Sequence, residues 1–392
     1  MNGWVAGGNG GTSDGYDGPV ILKPFAARES VCTFAHALAA QPPCCANMDS
    51  RDEPSWARGP TLGRIDGGSY GQVFMSMDTI TGQAVAIKVQ SLPSESAARE
   101  FACLSLLKSF PCAHIMVMID HWVRVNENGT QLCTVYPLAD TCLWRVYQSE
   151  DVQQQIFPDA LVAQYLAGVA KGLSHMHRLR VVHGDAPLKN MLLCRGGIVQ
   201  VADVGTSHSA HSVLGLEELT THYVNAPERW LGQPDIAPPV DIWAWGVMCY
   251  MLGNGRCGWL GHDSVEDVFP SLETVVGPID ETSWPGHSAM PKWRTHFADE
   301  RPRAEGGEAG PGRTVRFGSS FLAALRWSPL RRSWDAVFDC DLLQAFYPGL
   351  TRPSLVADSG DALVPQKRGP AALEEDATLL GASEPKVRGQ RH

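Results

Sequence analysis

The stretch VVHGDAPLKN (residues 181–190) places an aspartate two residues after a histidine and five residues before an asparagine. The Val-Val pair at its start indicates a short buried strand that leads into a polar loop. On such a loop the Asp185 carboxylate is able to orient a hydroxyl group or to accept its proton. The side-chain oxygen of Asn190 has the chemistry of a metal ligand. The stretch is therefore either one corner of a catalytic site or a polar loop without chemistry.

The bulk composition limits the classes of function. The 392 residues carry a net charge of −10 and are 44% hydrophobic, which suffices for one large domain or two. Because neutralising phosphates needs clustered lysine and arginine, we expect no general binding to nucleic acid or to anionic membranes. No run approaches 18 apolar residues, and the first residues lack the pattern of a secretory signal. The 11 cysteines form no paired CxxC set, which favours reduced thiols in an intracellular protein, cytoplasmic or nuclear.

Changes in composition and in hydrophobic pattern divide the chain into three parts. Residues 1–57 are predicted to be a disordered leader, and residues 356–392 a disordered tail, because both are rich in small and polar residues. Residues 58–355 are predicted to form one domain of class α+β with two lobes. Strand patterns dominate the smaller lobe, 58–136, and helix patterns dominate the larger lobe, 137–355.

Local patterns predict individual elements within both lobes. Alternating or β-branched residues predict strands, and apolar residues spaced three or four apart predict helices. The predicted strands are 61–65, 71–77 and 84–89, and the predicted helices are 94–109, 159–177 and 241–252. The last helix is apolar on every side, which predicts that it is buried within the larger lobe.

A glycine-rich turn, DGGSYGQV (66–73), joins the first two predicted strands. Its glycines are Gly67, Gly68 and Gly71. They would let backbone N–H groups approach phosphate oxygens, although a simple hairpin turn has the same composition. Farther along, Lys88 lies inside an apolar strand, where an unpaired ammonium group would be costly. Phosphate oxygens and Glu100 on the next helix are the expected partners, and a solvated Glu100 is the simpler alternative.

Another acidic residue adds to the set. Asp203 follows Asn190 by thirteen residues and directly succeeds a Val-Ala pair. Carboxylate and amide oxygens together with phosphates are the ligands that Mg²⁺ prefers, so Asp203 and Asn190 are the expected magnesium ligands. A metal, a cation on the phosphates and a placed hydroxyl are what phosphoryl transfer requires.

In this order the motifs resemble those of the eukaryotic protein kinase family. Ala226-Pro227-Glu228 matches the A-P-E motif of that family, and Asp241 begins a match to its D-x-W-x-x-G helix. In the closing segment 342–354, the resemblance assigns Arg352 as the arginine that pairs with Glu228. The resemblance covers residues 60–355. It implies a two-lobed kinase fold that binds ATP and Mg²⁺ and phosphorylates a protein substrate.

The resemblance also implies roles for individual residues. Lys88, held by Glu100, would contact the phosphates, and Asp185 would orient the attacking hydroxyl. Lys189 matches the place of an arginine in many tyrosine kinases, from which it would reach the γ-phosphate region. Thr221 favours serine/threonine specificity, because a threonine at that place bonds the catalytic aspartate and lysine in the family.

For the adenine ring, the resemblance implies a pocket between the lobes. Val73, Ala86 and Leu192 would enclose the ring. The hinge from Tyr136 to Leu138 would offer backbone groups to it.

A narrower resemblance is to cyclin-dependent kinases and their relatives, the CMGC group. The segment 260–293 contains Trp284-Pro285-Gly286, which matches a pattern that recurs in this group. The segment 94–107 resembles a cyclin-contacting helix that ends in Arg-Glu, so a cyclin-like activator is an expected partner. Ser69-Tyr70 lies at the place of an inhibitory Thr-Tyr pair in this group, which would make it a regulatory site. The simpler interpretation is that Ser69 is a turn residue and Tyr70 an aromatic residue that covers the loop.

Several positions depart from the family pattern. Asp66 occupies the first glycine position of the loop, and Val204 replaces a phenylalanine. Gly184 replaces the arginine that holds an activation-loop phosphate, which argues against activation by loop phosphorylation. Pro187 replaces a lysine that contacts phosphate. Asn225 replaces an arginine, which weakens any preference for proline after the target residue.

Two alternatives to an active protein kinase remain. One is a pseudokinase, which would keep the fold as a nucleotide-binding or scaffold module. Against it, Lys88, Asp185, Asn190 and Asp203 all survive. The other is a kinase-fold enzyme that acts on a small molecule, and the A-P-E segment argues against it because that segment serves protein substrates.

Overall fold

The computed structural model describes residues 61–68, 71–126, 129–209, 212–213, 221–297 and 316–351. The predicted leader and tail, Ser69-Tyr70 and Arg352 lie outside these residues, and so does the side chain of Asp66. Within the described ranges, no helix has both the length and the apolar character needed to cross a membrane.

The smaller lobe is an antiparallel sheet of five strands with one helix. Its elements are β1 (Thr61–Gly68), β2 (Gly71–Met77), β3 (Ala84–Leu92), α1 (Glu95–Ser109), β4 (Asp120–Asn126) and β5 (Gly129–Pro137). The strand order is β1-β2-β3-β5-β4. The three predicted strands and the predicted helix 94–109 are therefore confirmed.

Helix α1 begins where its sequence supplies a cap. The Ser94 hydroxyl accepts a hydrogen bond from the backbone N–H of Ala97 at 3.3 Å, and Glu95 places a negative charge in the first turn. The face toward the core contains Ala97, Phe101, Leu104 and Leu107. Burial of this apolar face fixes the rotation of the helix, and this rotation also turns Glu100 inward.

The larger lobe is mainly helical. Its helices are α2 (Leu143–Tyr147), α3 (Glu150–Gln153), α4 (Asp159–Arg178), α5 (Pro227–Trp230), α6 (Pro239–Asn254), α7 (Val265–Val276), α8 (Trp293–His296), α9 (Gly318–Ala324), α10 (Trp334–Phe338) and α11 (Asp341–Phe346). Its short strands are β6 (Thr141–Cys142), β7 (Val181–Val182), β8 (Met191–Cys194), β9 (Ile198–Val201), β10 (His208–Ser209), β11 (Ser212–Val213) and β12 (Asp235–Ile236).

Helices α4 and α6 form the centre of this lobe and confirm the two predicted helices. Trp243 and Trp245 of α6 are fully buried, as expected for a helix that is apolar on every side. The helix ends at Gly255, which has a φ of 65°. A Cβ atom there would lie 2.3 Å from the carbonyl oxygen of Val152, so the close approach requires glycine.

Two strand pairings bring the polar loops together below the sheet of the smaller lobe. In the β8–β9 hairpin, Met191 lies opposite Val201. The residues just before β8 and just after β9 therefore meet, and the N–H of Ala202 donates to the carbonyl oxygen of Asn190 at 2.9 Å. Strand β7 pairs with β10, which places Val182 opposite His208. These pairings gather the loop 183–190 and the segment after β9 into one site.

Candidate active site

Lys88 connects the two lobes of the molecule. Its Nζ lies 2.7 and 2.8 Å from the two carboxylate oxygens of Glu100 on α1. It also lies 2.8 Å from Oδ1 of Asp203, which follows β9 in the larger lobe. The structure thus brings together three residues that the sequence assigned to one site.

The charges of this group depend on one another. Burial acts to lower the pKa of Lys88, but the carboxylates of Glu100 and Asp203 raise it above its ordinary value. Burial raises the pKa of Glu100, and the attraction of Lys88 offsets this only in part. The side chain of Asp203 is 41% exposed, and there the attraction of Lys88 outweighs burial and lowers the pKa. Of these two carboxylates, Asp203 therefore stays ionised to a lower pH than Glu100 does.

The backbone at Asp203 is adapted to this position. Asp203 has φ 60° and ψ 66°, in the left-handed region that non-glycine residues seldom adopt. Such a conformation costs about 1–3 kcal/mol and persists where the surroundings impose it. At Gly205, a Cβ atom would lie 3.2 Å from Oε2 of Glu100, so the absence of a side chain lets α1 approach closely. Between them, the side chain of Val204 is buried.

Asp185 lies in the loop after β7 and is buried. Its Oδ1 accepts a hydrogen bond from the backbone N–H of Thr221 at 3.1 Å. The amide Nδ2 of Asn190 donates to the carbonyl oxygen of Asp185 at 3.0 Å, which leaves the amide oxygen of Asn190 for another ligand. These bonds hold the positions that the sequence assigned to hydroxyl orientation and metal binding.

A buried carboxylate behind this loop fixes its backbone. Asp241 of α6 accepts hydrogen bonds from the backbone N–H groups of His183 at 2.8 Å and of Gly184 at 2.9 Å. It also contacts Nε2 of His177 at 2.7 Å. The indole N–H of Trp334 donates to Nδ1 of His177 at 2.7 Å, so the proton of a neutral His177 lies on Nε2, facing Asp241. Although burial opposes it, hydrogen bonding to His177 lowers the pKa of Asp241.

No pattern in the sequence predicted this series of buried contacts. Trp334 is 157 positions from His177, and His177 is 64 positions from Asp241. Only the packing of α4, α6 and α10 brings them together.

Gly184 fits the backbone conformation of its position. Its φ is +78°, which glycine adopts without the steric cost that a side chain would incur.

Close to this loop, Nη1 of Arg99 on α1 lies 2.8 Å from Nε2 of His208 on β10. Burial and the positive charge of Arg99 lower the pKa of His208 to about 4, so the imidazole is neutral at physiological pH and accepts this hydrogen bond. A contact that the sequence did not predict therefore joins α1 to the segment after Asp203.

The partner of Glu228 differs from the one that the sequence predicted. Both carboxylate oxygens of Glu228 bond to Arg332, at 2.6 and 2.9 Å. The sequence assigned Arg352 to this pair; Arg352 lies outside the described residues, and the partner observed within them is Arg332. The guanidinium of Arg332 also lies over the ring of Trp243, 4.9 Å from its centroid, and donates to the carbonyl oxygen of Trp327. A planar guanidinium suits such a site because it bonds a carboxylate through two N–H groups while it stacks on an aromatic ring.

The residues assigned to the adenine pocket come from both lobes: Val73 from β2, Ala86 from β3 and Leu192 from β8. Val73, Ala86 and Leu192 are each partly exposed. In the pairing of β3 with β5, Ala86 lies opposite Tyr136. Because side chains alternate along a strand, Tyr136 shares the face of Lys88 and Ala86. Burial and the charge of Glu100 raise the pKa of the Tyr136 phenol.

The remaining assigned residues lie at the ends of strands or in a loop. Gly67 and Gly68 end β1, and Gly71 begins β2 with a φ of +134°. Leu138 directly follows β5 and is partly exposed. The exposed Lys189 contributes to the low pKa of Asp203 through its positive charge.

Comparison with known proteins agrees with this geometry. The model of the family described as "Protein kinase domain" matches residues 58–301, so the chain belongs to the protein kinase family. It is similar to "Cyclin-dependent kinase B2-1" of Oryza sativa subsp. japonica, with 27% identity over 271 residues that cover 67% of this chain and 82% of the relative. The chain is thus a serine/threonine protein kinase of the cyclin-dependent-kinase-like type. Protein kinases in general use ATP and Mg²⁺ and act on protein substrates.

Proposed function

We propose that this kinase binds ATP·Mg²⁺ between its lobes and transfers the γ-phosphate to serine or threonine hydroxyls through the residues described above. The observation that carries the proposal is the position of Lys88, 2.7 Å from Glu100 and 2.8 Å from Asp203. A buried ammonium held at this point by two carboxylates has the charge and the placement to bind phosphate oxygens.

The donor set beside Lys88 fits a magnesium ion. Asp203 offers a partly exposed carboxylate, and Asn190 offers an amide oxygen, both of which are hard ligands. No group of three His, Cys, Asp or Glu residues in the described ranges has the geometry of a metal site, so further ligands would come from phosphates and water. When bound, the ion would neutralise negative charge on the phosphates.

Asp185 is the residue proposed to orient the substrate hydroxyl. One of its carboxylate oxygens is held by the N–H of Thr221, which fixes the direction of the group. Lys189, exposed beside the loop, would face the γ-phosphate region. Catalysis would then depend on the placement of a hydroxyl and on positive charge around the phosphates.

Around the nucleotide base, Val73, Ala86 and Leu192 would enclose the adenine, and backbone groups up to Leu138 would bond its edge. Gly67, Gly68 and Gly71 would cover the phosphates with backbone N–H groups. Tyr136 would close the back of the pocket with its phenol rather than offer only its backbone.

A phosphate-transfer assay tests the catalytic proposal. The full chain is incubated with γ-labelled ATP, Mg²⁺ and a panel of generic serine and threonine peptides, beside the variants Asp185→Ala and Asp203→Ala. We expect wild-type transfer to exceed that of both variants by about 10² or more. If the wild-type chain transfers no more phosphate than the variants, the proposal fails, and binding of Mg·ATP then distinguishes a pseudokinase from a chain that binds no nucleotide.

A cyclin-like activator is the proposed partner of α1. Support comes from the relative named as a cyclin-dependent kinase and from the Arg-Glu pair of α1, of which Arg99 faces the segment after Asp203. Ala102 and Leu106 on this helix are partly exposed. Substituting both with glutamate should abolish capture of the partner, whereas Gln83→Glu on an exposed turn should not. Recovery of the same cyclin with the altered helix would exclude this surface.

We also propose that residues 58–355 form the kinase domain, with lobes at 58–136 and 137–355, and that the protein is intracellular, in the cytoplasm or the nucleus. In support of this location, every cysteine in the described part of the chain is a free thiol. Fluorescence microscopy of a tagged full chain checks the location, and a secreted product would contradict it.

A further inference from the structure

A second side chain of β3 reaches the carboxylate of α1. Gln90 lies two residues after Lys88, so the two side chains share one face of the strand. Gln90 is buried, and its Nε2 donates to Oε2 of Glu100 at 2.9 Å. Glu100 therefore receives hydrogen bonds from two residues of β3.

All three hydrogen-bond donors of Lys88 are directed at carboxylate oxygens of this chain. An ammonium group has three N–H donors and no acceptor. Lys88 directs two of them to Glu100 and one to Asp203. To bind a phosphate oxygen, Lys88 must therefore give up at least one of these bonds. If it leaves an oxygen of Glu100, that buried carboxylate loses a partner, which is costly unless another donor remains.

Gln90 supplies such a donor on the oxygen Oε2 that it shares with Lys88. Its position is also connected to the glycine-rich turn. A Cβ atom at Gly71 would lie 2.9 Å from Cγ of Gln90, so the missing side chain at Gly71 leaves space for Gln90. Gln90 thus lies between the end of the glycine-rich turn and α1.

We propose that Gln90 is a positioning residue that keeps Glu100 bonded and in place while Lys88 turns donors toward the nucleotide phosphates. The inference rests on the proposed role of Lys88 in phosphate binding. Gln90 acts through Glu100 and Lys88, and it touches neither the substrate nor the reacting atoms.

Steady-state kinetics of Gln90→Met test the proposal, because methionine keeps most of the volume and removes the donor. Without Gln90, Lys88 is retained by both oxygens of Glu100, so the KM for ATP should rise about ten-fold, with a smaller change in kcat. The matched control is Gln83→Met, the same change on an exposed turn of the same lobe, and its KM should equal that of the wild type. An unchanged KM in Gln90→Met would overturn the proposal.

A double-mutant cycle separates positioning from a general structural role. If Gln90 acts through Glu100, adding Gln90→Met to Glu100→Gln should change kcat/KM for ATP less than two-fold. An equal ten-fold loss in both backgrounds would mean that Gln90 acts elsewhere. The thermal midpoint of each variant is measured in parallel. If Gln90→Met does not fold, Gln90→Leu replaces it, and failure of both to fold would indicate a structural role and overturn the proposal.

Lys88→Met distinguishes this proposal from the proposed function. If Lys88→Met is as active as the wild type, the proposed phosphate contact itself is wrong. If Lys88→Met is strongly impaired but Gln90→Met keeps the wild-type KM, only the role of Gln90 is rejected.

Discussion

The nucleotide cleft and the contact between α1 and β10 lie on either side of the same helix, but they depart from the kinase pattern to different degrees. In the cleft, Lys88 lies within hydrogen-bond distance of both Glu100 and Asp203. At the other contact, the family arginine is replaced by Gly184, and Arg99 bonds to a neutral His208. The groups proposed to handle charge on the phosphates are kept, whereas the arginine that the family resemblance implies for an activating phosphate is replaced.

The two regions differ because they meet different physical requirements. Phosphoryl transfer needs a cation and metal ligands at fixed places, so substitution there removes activity. The position of α1 needs only some stable contact to the segment after Asp203. A neutral histidine that accepts from Arg99 provides one without a phosphate.

The largest effect is expected at the anchor of the activation segment. Arg332→Met leaves the carboxylate of Glu228 buried without its partner, which should lower the free energy of unfolding by about 3–5 kcal/mol. Chemical denaturation measures this value. Arg331→Met is the matched control, because it makes the same change at the exposed neighbouring arginine, and it should change the free energy little. The reverse order of effects would contradict the observed pairing.

The next largest effect is expected in the cleft. Lys88→Met removes the cation that joins Glu100 and Asp203, and activity should fall about 10²–10³-fold. The rate of peptide phosphorylation at saturating peptide measures the loss. Lys108→Met, on the exposed end of α1, should keep wild-type activity. If the two variants have comparable activities, the lysine of the cleft matters no more to activity than a lysine on the surface of the same lobe.

A smaller effect is expected behind the catalytic loop. Trp334→Phe removes the donor to His177 and so loosens the residue that faces Asp241. One buried hydrogen bond contributes about 1 kcal/mol, so kcat should fall about five-fold while the KM for ATP stays near the wild-type value. Enzyme kinetics with ATP varied check this split. A rise in KM alone would show that Trp334 does not act on the catalytic loop.

The smallest effect concerns pH and the contact between Arg99 and His208. The pKa of His208 is lowered from 6.5 to about 4 in the folded protein, so below pH 6.5 the unfolded chain takes up a proton that the folded chain does not. Stability from this residue is therefore complete above pH 6.5 and is lost as the pH falls toward 4. Near pH 6 the loss is less than about 1 kcal/mol.

Thermal unfolding of the wild type and of His208→Asn between pH 7 and pH 6 measures this effect. The wild type should lose more stability on acidification than the variant. Equal losses would show that His208 is not the group responsible.

Many residues of the cleft were predictable because they belong to short motifs with fixed spacings. Asp185 and Asn190 lie in one loop, and Asp203 follows across a single hairpin, so local chain geometry suffices to bring them together. Lys88 was marked by its position inside an apolar strand, where a charge needs a partner.

The contacts that the sequence did not predict join residues far apart in the chain. Arg332 becomes recognisable as the partner of Glu228 only from its packing on Trp243 and its bond to the carbonyl oxygen of Trp327. For the same reason Gln90 is an ordinary polar residue of a strand until the rotation of α1 is known. Tyr136 was assigned a role through its backbone, and only the register of β5 against β3 places its side chain on the same face of the sheet as Lys88.

The order of the two lobes and the residue types that carry charge at the cleft follow from the sequence, because strand and helix periodicities and short motif spacings are local properties. Tertiary packing sets which buried or partly buried groups pair: Arg332 with Glu228, Gln90 with Glu100, Trp334 with His177 and Arg99 with His208. A buried polar group must find a partner wherever packing brings one within hydrogen-bond distance, and that distance depends on helix rotation and strand register rather than on separation along the chain.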